Sequence, residues 1–208
     1  CNWHVEGKND HPMNCLDRNH ALAYCEWIGR RLCTEAEWEK AARGGCELHI
    51  GEDCKTSMPM YPWGNAAPDC ERALTCDDWD DCCGNKGTAP IGERPKGASP
   101  YGAHDMAGSV DEWVADECSP NYYCKGNDAD RYVFGFEYCT PDSAPFRQPW
   151  ENPTGPQLDV SAWVLRGGTT GGSPHDERYV RVSARKCDGY GSWSPLWNGF
   201  RCCKSAAK

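Results

Sequence analysis

Hydrophobic positions follow a clear period only near the start of the chain. Between Asp17 and Ile28, Ala21, Tyr24, Cys25 and Ile28 recur at helical spacing, and Gly29 offers a left-handed stop. Thr34-Glu35-Ala36-Glu37 reads as a capping box, with the Thr34 hydroxyl taking a free amide of the first turn and Glu37 reaching back. The helix it opens is predicted to run through Trp38 and Ala41-Ala42 to Gly44-Gly45. Short apolar runs predict strands at Val110 to Val114, Ala162 to Arg166, Tyr179 to Ser183 and Gly199 to Cys203. From Cys46 to about Pro100, and again over 119–160, Gly, Pro, Asp and Cys break every period. Loops of this length need a function or a staple. Cysteines at 46, 54, 70, 76, 82 and 83 can supply staples in the first of them. With no internal repeat, low-complexity tail or Ser/Gly linker, the pattern predicts one loop-rich domain over residues 1–208.

Composition narrows the setting. Sixteen cysteines in 208 residues is too many free thiols for a reducing compartment unless a metal occupies them. Zinc is disfavoured by spacing, because no C-x2-C and no H-E-x-x-H occurs. Cysteine pairs are instead adjacent (Cys82-Cys83, Cys202-Cys203) or separated by five residues (Cys70 to Cys76, Cys118 to Cys124). Structural disulfides in an oxidising, secreted setting (extracellular or periplasmic) are therefore expected, with connectivity left open. No apolar stretch approaches a membrane span, and the mean hydropathy is −0.77. No charged and apolar leader opens the chain, so any signal peptide is expected to be already gone. A formal net charge of −9 argues against a nucleic-acid partner, which usually calls for a basic face.

The motifs themselves carry a resemblance. His11-Pro12-Met13-Asn14, Ala21 to Trp27, and Arg31-Leu32-Cys33-Thr34-Glu35-Ala36-Glu37-Trp38 come first. Tyr61-Pro62-Trp63-Gly64-Asn65 and Tyr101 to Trp113 follow. Val164-Leu165-Arg166-Gly167-Gly168, Val182-Ser183-Ala184-Arg185 and Gly199-Phe200-Arg201-Cys202 close the series. In that order they resemble the formylglycine-generating enzyme, or sulfatase-modifying factor, family. The resemblance implies an α+β fold of the variant C-type-lectin-like kind, loop-rich and disulfide-stapled. It also implies a bridge from Cys25 to Cys202, which would close a loop worth about 4–5 kcal/mol. A second family bridge falls on Ala42 and Val182 and is lost, while Cys33 stands where the family usually has proline and needs a new partner.

Two departures qualify the functional expectation. Family enzymes oxidise a substrate cysteine with a copper ion held by two cysteines, and those positions fall here on Gly172 and Glu177. No cysteine occurs between Cys139 and Cys187, and Cu(I) favours thiolates, so copper is not expected. His175 lies between the two positions and leaves open a different metal site or a ligand contact. Only ten residues precede His11, where the family has several strands. The chain is accordingly expected to be a fragment, a processed product or a partner to a chain that supplies those strands. A lipid-modified start at Cys1 is a weaker alternative.

Calcium is the expected cofactor. The resemblance implies a site from Asp105, Gly108, Val110 and Glu112, two carboxylates and two carbonyls that suit this hard cation. The family's other calcium positions land near Leu74 and Cys83 and look lost; the adjacent acids Asp77, Asp78, Asp80 and Asp81 read better as a solvated face. Tyr190, Trp193 and Trp197 sit among Gly, Ser and Asn in a loop before the last strand, a recognition-loop composition. With His175 they form the candidate ligand-binding set. The function these features predict is a secreted, non-catalytic module that binds a protein or glycan ligand or assembles with itself. The alternatives are a cysteine oxidase or a family enzyme with altered metal chemistry.

Overall fold

The computed structural model describes residues 1–48, 59–75, 82–118, 162–168, 177–188 and 195–205. Helix α1 is Arg18–Trp27, strand β1 Arg31–Leu32 and helix α2 Glu35–Arg43. Strands β2 (Asp111–Glu117), β3 (Trp163–Arg166), β4 (Lys186–Asp188), β5 (Asn198–Phe200) and β6 (Cys202–Cys203) follow. Both helices begin and end where side-chain chemistry directs. Asp17 accepts the His20 amide at the start of α1, and Gly29 (φ +70°) turns the chain behind it. At α2 the full capping box forms between Thr34 and Glu37, and Gly44 (φ +86°) closes the helix.

The main sheet has the order β4-β3-β2-β5, antiparallel except for the parallel β2–β5 pair. Alternation along β2 and β3 gives the sheet two different faces. Trp113 and Leu165 point to α1, where they cluster with Leu16, Ala21, Cys25 and Leu32. Val114 and Val164 point the other way, to Trp38 and Ala42 of α2, with Met106 and Val182. The lost family bridge is thus replaced by carbon: Ala42 and Val182 are both buried in one apolar cluster. Register slips between Trp113 and Glu117. Arg18 answers there, donating to Val114 O (3.3 Å) and Ala115 O (2.9 Å) while its guanidinium lies 3.5 Å over the Trp163 ring.

Two expected strands differ from the observed structure. Residues Glu177–Val180 form a 3-10 turn and not part of a strand. Tyr179 and Val180 are both buried, and consecutive buried side chains do not fit the alternation of a half-exposed strand. The run from Gly199 to Cys203 is divided: β5 joins the main sheet, Arg201 interrupts, and β6 pairs with β1 in a separate two-stranded sheet. Both halves of the run thus find a partner strand, β5 in β2 and β6 in β1. Residues 59–75 and 82–100 hold isolated bridges and one 3-10 turn at Pro95–Gly97, the loop-rich texture expected of them.

Disulfides connect these pieces. Cys25–Cys202 forms as the resemblance implies, and Cys33 finds its partner in Cys203. The adjacent residues Cys202 and Cys203 thereby fasten β6 to α1 and to the strand leading into α2. Cys118–Cys187 joins the end of β2 to β4 across β3, and Cys1–Cys15 and Cys70–Cys83 close local loops. Among the described residues no cysteine is free, and no helix is long and apolar enough to cross a membrane.

A buried charge cluster lies under α2. Glu35, 1 % exposed, accepts Nε of Arg185 at 2.9 Å and its Nη2 at 3.0 Å, and Arg166 Nη1 lies 3.5 Å away. Arg166 also reaches Glu39 (2.6 Å) and the carbonyls of Val182 and Ala184 (both 2.7 Å). Removing one member of a buried ion pair strands the other charge. Glu35→Gln is accordingly expected to lower unfolding stability by about 3–5 kcal/mol in urea melts. Glu37→Gln, at the half-exposed pair with Arg31, is expected to cost less than about 1 kcal/mol.

Candidate functional site

The candidate calcium residues lie on the turn that feeds β2. Asp105 (φ +56°), Gly108 (φ +77°) and Ser109 (φ +70°) all adopt left-handed backbone, so the segment bends tightly. Two neighbours fix its course. The Gly108 amide donates to Gly167 O (2.9 Å) and the Ser109 amide to Leu74 O (3.1 Å). Because the peptide is planar and trans, the Gly108 carbonyl points away from Leu74. A Cβ at Gly108 would come within 2.4 Å of Leu74 O, so glycine is required twice over, for conformation and for space. Asp105 Oδ2 accepts the Gly92 amide at 2.7 Å and ties the turn to the 88–92 loop.

Glu112 follows one residue into β2, on the α2 face. Its Oε2 accepts Trp38 Nε1 at 2.7 Å and Arg201 Nε at 2.5 Å, and Oε1 accepts Arg201 Nη2 at 2.5 Å. Arg201 Nη2 also lies 3.3 Å from His104 O and 3.4 Å from Asp105 O. Burial works against the Arg201 charge, but Glu112 and Asp105 outweigh it and raise the guanidinium pKa. Two carboxylates and two backbone carbonyls are donor types that calcium accepts, but the Asp105 carboxylate is taken by the Gly92 amide and that of Glu112 by Trp38 and Arg201. Arg201 already engages Glu112, so a bound ion would share that carboxylate with a guanidinium. Leu74 is buried and Cys83 is bonded to Cys70, so neither is placed as a side-chain oxygen ligand for a second ion.

On the opposite face, Asp111 is 1 % exposed and lies 3.3 Å from Lys186 Nζ. Burial raises the Asp111 pKa, Lys186 offsets part of the rise, and Asp188 and Glu112 add to it. Successive residues of β2 thus send two carboxylates to separate basic partners on separate faces.

The expected copper positions are not brought into view together. Gly172 lies outside the described residues, and Glu177 opens the 3-10 turn, its side chain not described. A glycine and a carboxylate do not match a dithiolate copper site. The nearest cysteine after them, Cys187, is held by Cys118. Of the candidate ligand loop, His175, Tyr190 and Trp193 lie outside the described residues, as do Asp77, Asp78, Asp80 and Asp81. Trp197 is half-buried with its ring edge over Gly87, and Asn14 Nδ2 holds the preceding Leu196 carbonyl at 2.6 Å. Arg201 and Trp38, the partners of Glu112, were not foreseen as site residues. Both stand inside the quoted motifs, and the rule that a buried carboxylate needs a partner would have singled them out.

This architecture defines the variant C-type-lectin-like fold. PvdO from Pseudomonas aeruginosa shares it at TM-score 0.58 and 23% identity, over 92% of this chain and 60% of that one. Treponema denticola variable protein 1 shares it at TM-score 0.61 and 20% identity, over 97% and 74% respectively. The family model described as "Sulfatase-modifying factor enzyme 1-like domain" matches residues 1–206, and the chain belongs to that family. The formylglycine-generating enzyme of Thermomonospora curvata is 31% identical over 95% of this chain and 57% of its own length. That of Streptomyces coelicolor is 34% identical over 97% and 55%. The chain thus spans little more than half the length of these relatives. The bovine protein named inactive C-alpha-formylglycine-generating enzyme 2 is 34% identical over 54% of this chain and 35% of its own length, so catalytic and inactive members both match.

Close packing at the turn gives a direct test. Gly108→Ala is expected to cost at least about 1–3 kcal/mol from backbone strain alone, with the Leu74 overlap added. Ser109→Gly relieves a left-handed residue at the loss of a small buried side chain, and is expected to cost less than Gly108→Ala; denaturant melts compare the two.

Proposed function

We propose that this chain is a non-catalytic formylglycine-generating-enzyme-like module of an oxidising compartment, secreted or periplasmic, that binds a protein or glycan ligand. One observation carries the reading. No cysteine lies between Cys139 and Cys187, and Cys187 is spent on the bridge to Cys118. Thiolate copper chemistry has no sulfur to use at Gly172 and Glu177. The flanks of that segment are nonetheless anchored, with Arg166 and Arg185 both at Glu35. Retaining the frame while the thiols are replaced supports recognition over oxidation. Trp197, Tyr190, Trp193 and His175 are the residues we assign to the ligand, on the composition of their loops.

The similarity to named formylglycine-generating enzymes favours a second reading, an oxidase whose sulfur comes from another chain or a family enzyme with altered metal chemistry. A peptide carrying the Cys-x-Pro-x-Arg sulfatase motif, incubated with the protein, copper and oxygen, separates the two. The expected result is unmodified peptide by mass spectrometry; an aldehyde product overturns the binding-module reading. Size exclusion at micromolar concentration reports whether the occupant is a second copy.

Calcium is proposed at Asp105, Gly108, Val110 and Glu112. After dialysis against chelator, calcium at about a hundred times its Kd is expected to add about 2.7 kcal/mol of stability. Glu112→Gln is expected to abolish the calcium-dependent part of the melt. Arg201→Gln is expected to tighten calcium binding by removing a competing positive charge. A melt indifferent to calcium in all three proteins would show the guanidinium to be the turn's sole cation.

A further inference from the structure

The first fifteen residues form a loop closed by Cys1–Cys15, and polar groups tie it to the rest of the molecule. Thr88 is the receiving point. Asn2 Nδ2 donates to its hydroxyl (2.9 Å), Lys8 Nζ donates to its carbonyl (3.2 Å), and His11 Nδ1 lies 2.9 Å from its hydroxyl. The Ile91 amide donates to Asp10 O (2.8 Å) close by. Asn14 extends the connection, its Oδ1 accepting the Asn2 amide (2.7 Å) and its Nδ2 donating to Leu196 O (2.6 Å).

His11 stands at the centre of this contact, its side chain 7 % exposed. Lys8 Nζ lies 3.2 Å from the same Nδ1 that faces Thr88. An ammonium group can only donate, so Nδ1 must accept, and the ring proton sits on Nε2. Nε2 is 4.0 Å from Asp10 Oδ1, a carboxylate that is itself largely exposed. A second proton on the ring would put an N–H against the Lys8 ammonium and break the acceptor role. The charged groups facing the imidazole are Lys8 and Asp10 on its own loop and Glu93 from the 88–93 loop. Lys8 opposes the second proton; Asp10 and Glu93 favour it.

We propose that His11 is an acid-sensitive latch that holds the Cys1–Cys15 loop on the Thr88–Ile91 segment and, through Asn14, braces the Leu196–Trp197 end of the recognition loop. The balance of these groups supports the direction. Burial first, then Lys8, lowers the His11 pKa from its ordinary value of 6.5, against smaller raising effects of Asp10, the Thr88 backbone and Glu93. The sign follows from linkage. With its pKa lowered in the closed state, His11 takes up a proton when the latch opens. The closed state is therefore fully favoured above pH 6.5 and loses ground as pH falls from there through the lowered pKa. Within that window opening rises by up to about tenfold per pH unit.

Amide hydrogen exchange of the intact protein, corrected for intrinsic rates and read at residues 2–11 and 88–91, tests the latch between pH 7.5 and 5. Protection in the wild type is expected to fall across that range while the helices keep theirs. His11→Gln is expected to remove the pH dependence. Lys8→Met, which leaves the imidazole in place, is expected to move the His11 titration in NMR up toward 6.5 and to shift the loss of protection with it. A His11 pKa at or above 6.5 in the wild type, or the same pH dependence in wild type and His11→Gln, would overturn the proposal.

Discussion

The chain depends on one carboxylate held between two arginines. Glu35 is the first residue of α2, and its side chain reaches away from solvent into a site where an unpaired charge would be very costly. Arg185 meets it with two nitrogens and Arg166 with a third. Those arginines flank a stretch whose described residues, 167–168 and 177–184, form no strand. Because both ends answer to the same acid, the stretch is framed by α2 whatever residues fill it. The α2 N-terminus is itself fixed, its Glu35 amide donating to buried Asp116 of β2 at 2.6 Å. Helix, sheet and loop base thus share one electrostatic junction.

Around that junction, covalent bonds do what sheet hydrogen bonds do in more regular folds. The main sheet is four short strands, and the second sheet is two residues wide on each side. Such pieces are marginal alone. Cross-links at Cys25, Cys33, Cys118, Cys187, Cys202 and Cys203 compensate by limiting how far the unfolded chain can expand.

Local chemistry was legible before the structure. Both helices, the capping box and the Gly29 stop depend on residues within a turn of each other, and they appear where the pattern places them. The Cys25–Cys202 bridge was legible for a different reason, the resemblance of its two motifs to a family. What stayed hidden depends on distant partners. Nothing near Gly199 announces that Arg201 will leave the strand to reach Glu112. Nothing near Tyr179 shows that it and Val180 will both be buried, which requires a tight turn and not an alternating strand. The pairing of Trp38, Glu112 and Arg201 joins residues from three motifs that each read as self-contained.

The paired cysteines of β6 carry a mechanical consequence. Neighbouring residues in a strand face opposite ways, so Cys202 and Cys203 are bonded to different parts of the molecule, one to a helix and one to the segment ahead of the next. Tension applied beyond Cys203 would therefore meet two covalent tethers in succession before it reached Phe200 and the main sheet. A strand that hydrogen bonds alone would release residue by residue is anchored here like a seam with a double stitch.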